Sequence, residues 1–135
     1  MLQVDVVSAE RRLFQGEVAE LYARSIEGEI GILPGHEATL LALDYGPIRL
    51  KMPDGSQIVI AVHRRGFLEC RDDQINVLAD IAEMVEEIDI ERAERALERG
   101  RRHLETPGYE GDALSEIQRA ELRIKLGRSG GVPVP

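Results

Sequence analysis

Tryptophan is absent from the 135 residues, and two phenylalanines and three tyrosines make up the whole aromatic content. A core without large rings must be built from Leu, Ile, Val and Ala, so fold and packing rest on aliphatic periodicity. The single cysteine, Cys70, excludes an intramolecular disulfide. Its place between Leu68 and Ile75 marks it as a small core residue of a reducing compartment. No apolar run approaches the roughly 20 residues needed to cross a bilayer, and the N-terminus lacks the basic-then-apolar pattern of a signal peptide. A soluble, cytosolic chain is expected. Positive charge is in deficit too: the formal net charge is −8, which argues against nucleic acid or an anionic membrane surface as the main partner, because the long-range field repels polyanions.

What is present falls into two parts. Up to Val85 there are 8 basic and 14 acidic residues; beyond it the balance is 9 against 11 in a far shorter stretch. The first part carries alternating runs, with Leu2, Val4 and Val6, then Ala19, Leu21 and Ala23, then Ile48, Leu50 and Met52. Pro53-Asp54-Gly55 is a hairpin signal, and Ile58 to Val62, Gly66 to Cys70 and Ile75 to Ala79 follow at the short spacing of a β-sandwich or barrel.

After Glu83 the period changes. Ile90, Ala93, Leu97, Gly100 and Leu104 recur at helical spacing behind Asp89, an N-cap residue. Arg92, Arg95, Arg99 and Arg102 form a basic stripe on the other face, and pairs such as Glu91 with Arg95 and Glu98 with Arg102 are expected to support the helix. Thr106 to Gly111 breaks it, and Asp112 caps a second helix whose seam is Ala113, Ile117, Ala120 and Ile124. Leu122 and Leu126 point away from that seam and call for a second docking surface, on the β part or on a partner. The domains read as residues 1–85, a β domain; 86–127, a helical hairpin; and 128–135, a tail without a pattern able to hold it. The helical seams are narrow and rich in Ala, so the hairpin is expected to be marginal without a neighbour.

The stretch most like a site is Gly28-Glu29-Ile30-Gly31-Ile32-Leu33-Pro34-Gly35-His36-Glu37. A phosphate loop would need a longer glycine run ending in Lys, and a helical zinc motif would need a second His; both are missing. The glycines and Pro34 encode the shape of a turn. His63-Arg64-Arg65 reads as a surface turn, and the arginine stripe is either a solvated face or a recognition surface for carboxylates or phosphates. From the residues alone, a small hydrolase or metal enzyme using His36, Glu37 and His63 and a free-standing adaptor binding an acidic partner through its hairpin both stay open.

Val6-Val7-Ser8-Ala9-Glu10, Phe14, Gly16-Glu17-Val18, the Gly28 to His36 motif, Gly66-Phe67-Leu68-Glu69, Val77-Leu78-Ala79-Asp80 and Ile88-Asp89 with Arg92-Ala93 occur in the order of one known family. The chain resembles the epsilon subunit of F-type ATP synthases, which corresponds to the mitochondrial delta subunit. The resemblance implies a flattened N-terminal β-sandwich of about ten strands followed by an antiparallel helical hairpin. It implies a non-catalytic central-stalk, or rotor, subunit of a proton-translocating synthase, coupling c-ring rotation to the catalytic head and restraining ATP hydrolysis through its helices.

The implied partners are the gamma subunit, the c-ring and the catalytic beta subunit. Membrane association would come only through the complex, on the cytoplasmic face of a bacterial plasma membrane, or on the thylakoid or inner mitochondrial membrane for a chain of that origin. Glu29, Ile30, Gly31 and His36 map to the edge that meets the c-ring and gamma. Arg92, Arg95, Arg99 and Arg102 map to the helices that approach the beta subunit when extended. No metal or cofactor is implied. Some members bind ATP as a regulatory ligand, and Ile88, Asp89, Arg92, Ala93 and Arg99 match the first-helix part of that motif. Leu126 and Gly130 stand where those members carry arginines.

Overall fold

Residues 1–129 are described by a computed structural model. Ten strands run β1 Leu2–Ser8, β2 Arg12–Val18, β3 Glu20–Ser25, β4 Gly28–Ile32, β5 Thr39–Leu43, β6 Gly46–Lys51, β7 Gln57–Val62, β8 Gly66–Arg71, β9 Gln74–Ala79 and β10 Ala82–Met84. A 3₁₀ turn at Val85–Glu87 leads into helices α1 Ile90–Glu105 and α2 Ala113–Ser129. The strand order is β10-β7-β6-β3-β5-β8-β9-β1-β2, with β4 paired to β3. Between β3 and β5 the ladder narrows to the single pair Ser25 and Leu43, so the sheet folds there into two layers. Every pairing is antiparallel except β1 with β9, where Val4 stands opposite Ile75.

The period-two pattern produces the core. Leu2, Val4 and Val6 of β1, Leu68 and Cys70 of β8, and Ile75, Val77 and Ala79 of β9 line one layer. Leu21, Ile32, Ile48, Leu50, Ile60 and Val62 line the other, giving the interdigitated apolar slab of a sandwich. Gly66 is fixed by space: a Cβ there would collide with the Leu78 carbonyl and lie 2.7 Å from Ala79 Cα.

Strand β7 is apolar on both faces, and this seats the hairpin. Ile60 and Val62 enter the sandwich core, whereas Val59 and Ala61 form a second cluster with Val85 and Leu126, flanked by Ile88 and Leu122. The second docking surface expected for Leu122 and Leu126 is therefore the β domain. Asp89 caps α1, accepting from the Arg92 amide at 3.1 Å, and Asp112 accepts from the Ser115 amide at 3.1 Å ahead of α2. The helices approach closely through small residues: a Cβ on Gly100 would lie 3.0 Å from Ile117 Cγ1, and one on Gly127 the same distance from Ile90 Cγ1.

Three expectations need correction. Leu104 is 55% exposed; its place in the α1 seam goes to His103, half-buried, whose ring stacks on Tyr109 at a centroid distance of 4.1 Å and whose Nδ1 lies 3.0 Å from Glu116. The pairs Glu91–Arg95 and Glu98–Arg102 are not among the ion pairs of the described residues; Glu94 instead bonds Arg128 across the hairpin at 2.6 Å. That contact lies past the expected helix end at residue 127, since α2 runs to Ser129. The remaining tail, residues 130–135 with Gly130, lies outside the described residues. No described helix is long and apolar enough to cross a membrane.

Candidate interaction surfaces

The glycine-proline stretch forms an edge strand and a tight turn. On β4, Ile32 enters the core and Ile30 packs against it, leaving Glu29 and Gly31 exposed on the other side. Glu29 stands opposite Arg24 on β3. Gly31 stands opposite Tyr22, and a Cβ at Gly31 would fall 2.9 Å from the Tyr22 ring. Beside them lies a hollow of about 100 Å³ lined partly by Glu29, Gly31 and Pro47, too small for a nucleotide.

Beyond β4, the His36 amide donates to the Leu33 carbonyl at 3.1 Å. Pro34 occupies the second position of this turn and Gly35, at φ +86°, the third, the arrangement of a type II turn. The Gly35 amide then donates to Asp73 Oδ1 at 2.7 Å, from a loop 38 residues away. His36 is half-buried; its Nδ1 lies 2.9 Å from the Glu37 carbonyl, which can only accept, so that nitrogen carries the proton and the ring is oriented. The structure thus brings Glu29, Ile30 and Gly31 onto one strand and sets His36 at the end of the turn that follows it.

A second surface carries no motif in the sequence. Ala42, Phe67, Leu78 and Val7 are successive partners across β5, β8, β9 and β1. Their neighbours Leu43, Leu68, Val77, Ala79 and Val6 are buried, so this row faces outward. Phe67 and Leu78 are each 59% exposed and Leu40, also outward on β5, is 71% exposed. Contiguous apolar residues on a solvent-facing sheet mark an interaction site. The signal in the sequence was the failure of alternation at Leu40-Leu41-Ala42, Gly66-Phe67-Leu68 and Val77-Leu78-Ala79.

On the hairpin, Arg92, Arg95, Arg99 and Arg102 are all exposed and enter no ion pair among the described residues. Ile88 packs beside β7, Asp89 is the α1 cap and Ala93 is 2% exposed in the helix seam. Arg99 lies seven residues beyond Arg92, roughly 10 Å along the axis, and borders a groove with His103, Glu116 and Arg119. At the position of a missing arginine, Leu126 is 3% exposed in the cluster under α2.

His63 corrects a further expectation. Arg64 and Arg65 are exposed at a bend, as a surface turn requires, but His63 is fully buried, with Nε2 donating to Glu83 Oε1 at 3.1 Å and, among the described residues, Nδ1 without a partner. Arg123 of α2 bonds the same carboxylate through Nε at 2.8 Å. Burial pushes the Glu83 carboxyl upward, but the hydrogen bonds from His63 and Arg123 and their charges outweigh it and hold the pKa at about 2. Among the described residues no group of three or more His, Cys, Asp and Glu side chains is placed to hold a metal, so His36, Glu37 and His63 are not assembled into one.

Residues 1–85 match the family described as the ATP synthase delta/epsilon chain, beta-sandwich domain. The chain is 41% identical over 124 residues to the ATP synthase epsilon chain of Streptomyces avermitilis, covering 92% of this chain and 93% of that one. It is 41% identical over 126 residues to that of Solibacter usitatus, covering 91% and 92%. A chain in the Euglena gracilis mitochondrial ATP synthase structure, which includes OSCP, F1 and c-ring, is 27% identical and superposes with a TM-score of 0.70 over 94% of this chain and 77% of its own. A chain from the central stalk and c-ring of the Tetrahymena thermophila mitochondrial enzyme, 15% identical, shares the fold with a TM-score of 0.62 over 93% and 96%.

Proposed function

The chain belongs to the delta/epsilon family of ATP synthase subunits, a non-catalytic family, and we propose that it is the central-stalk subunit that couples c-ring rotation to the catalytic head of a proton-translocating enzyme. The observation that carries this reading is the outward apolar row of Leu40, Ala42, Phe67, Leu78 and Val7 beside a turn already locked in shape. A torque-bearing contact benefits from such a surface, because little ordering entropy is lost on docking. The row offers gamma an apolar face, and Glu29, Gly31 and His36 offer the c-ring a polar edge. Membrane association then comes only through the complex, on the cytoplasmic face of a bacterial membrane.

The hairpin restrains ATP hydrolysis by exchanging its docked pose for an extended one. Its attachment to the sandwich rests on one small apolar cluster, the Glu83–Arg123 contact and a Tyr45–Ser115 hydroxyl pair at 3.4 Å, a bistable arrangement of modest free-energy difference. The exposed arginine stripe then meets acidic groups on the beta subunit. A nucleotide at the hairpin is not part of this reading, since Leu126 offers methyl groups where a cation would be needed.

Two experiments separate these claims. Mixing the chain with its cognate gamma subunit and c-ring should give a stable complex, and no association at micromolar concentration would remove the rotor reading. Ending the chain after Glu87 should leave that complex intact and raise its ATP hydrolysis; unchanged hydrolysis removes the restraint alone.

A further inference from the structure

Resting on the rotor reading, we infer that Asp73 is a positioning residue for the contact surface: its carboxylate fastens the Pro34-Gly35 turn to the β8–β9 hairpin and presents both as one rigid unit. The type II turn's own bond uses the His36 amide, so the Gly35 N–H takes its acceptor from outside the turn. Asp73 Oδ1 takes it at 2.7 Å, a charge-assisted length. The Gln3 amide donates to the Asp73 carbonyl at 2.8 Å, so the residue holding the turn is itself tied to β1.

The backbone adds an independent reason. Asp72 and Asp73 are the two central residues between β8 and β9, at φ +50° and +60°. A two-residue hairpin of this kind strongly favours glycine at its second position. Aspartate there keeps a left-handed conformation that L side chains adopt at a cost, and such outliers persist where the side chain has a task. The task visible here is the bond to Gly35. Without it, the bonds left to the β4–β5 turn among the described residues are its own Leu33–His36 bond and the local ones among His36, Glu37 and Thr39.

The test compares Asp73→Gly, which relieves the backbone but removes the acceptor, with Asp73→Asn, which keeps a carbonyl acceptor. Three quantities are measured on the full chain: melting temperature, exchange of the Gly35 amide, and affinity for the gamma–c-ring assembly. Asp73→Gly is expected to melt no lower than wild type, to exchange at Gly35 about tenfold faster and to bind about tenfold more weakly. Asp73→Asn should stay within about threefold of wild type in affinity. Unchanged exchange at Gly35, or fast exchange with wild-type affinity, overturns the positioning role while the rotor reading stands. Failure of the wild type itself to bind removes the rotor reading, and this inference with it.

Discussion

Arg123 and Glu83 join the second helix to the last strand of the sandwich through two contacts, Nε to Oε1 at 2.8 Å and Nη2 to Oε2 at 3.4 Å. The carboxylate also accepts from buried His63, so one acidic group ties a loop, a strand and a helix together. Removing Arg123 leaves Glu83 half-buried with its charge less compensated, which is costlier than losing an exposed pair. Arg123→Gln is expected to weaken hairpin docking by about 2 kcal/mol. Amide exchange should accelerate across α2 and leave β1, β8 and β9 unaffected; equal protection of α2 in both proteins would refute the pinning role.

The same group sets an acid limit. Its folded-state pKa of about 2 lies below the ordinary value of 4.5, so its contribution is complete above pH 4.5 and is lost as pH falls towards 2. At 1.36 kcal/mol per unit this amounts to roughly 3 kcal/mol at most. Glu83→Gln should be less stable than wild type at neutral pH and should flatten the stability profile across that window. Denaturant titrations at successive pH values read the difference; parallel profiles would show that other carboxylates govern acid unfolding.

Leu126 carries the apolar half of the docking. Truncating a leucine in a small cluster opens a cavity that its neighbours fill only in part, and Leu126→Ala should cost about 2 to 3 kcal/mol of docking. Limited proteolysis is expected to cut the Thr106 to Gly111 loop and the 3₁₀ turn at Val85–Glu87 sooner in this variant. A proteolytic pattern like that of the wild type would mean that the Val59-Ala61-Val85 cluster does not hold the helix.

The outward row predicts a separation of binding from folding. Phe67→Ser and Leu78→Ser remove exposed apolar area and should change stability by no more than about 0.5 kcal/mol. Together they should weaken association with gamma by tenfold or more, as loss of interface anchors does. Wild-type affinity in the double variant would place the gamma contact elsewhere on the sandwich.

Strands and helices were legible because each follows a local period. Leu2, Val4 and Val6, or Ile75, Val77 and Ala79, announce a buried face through spacing alone, and Asp89 and Asp112 announce helix starts through capping chemistry. The α1 seam is ambiguous at one position: His103 and Leu104 both lie near the seam, and hydropathy favours leucine. Stacking on Tyr109 and a hydrogen bond to Glu116 decide for His103, and these partners lie in and beyond the break in the helix. The burial of His63 is hidden for a similar reason, as neighbouring Arg64 and Arg65 suggest a surface cluster while Glu83, 20 residues away, supplies the buried partner.

By itself, then, the sequence determined the two-part layout, the aliphatic sandwich, the capped helices and the shaped turn around Gly35, since these depend on residues close together in the chain. The tertiary structure decided what those pieces meet: Leu126 against Val59 and Ala61, Arg123 against Glu83, Gly35 against Asp73, and Leu78 between Phe67 and Val7 on an uncovered face. The physical reason is one of range. Propensity, periodicity and capping are written in neighbouring residues, whereas a shared carboxylate, a clamped turn and a cross-strand row exist only after folding brings distant segments within bonding distance.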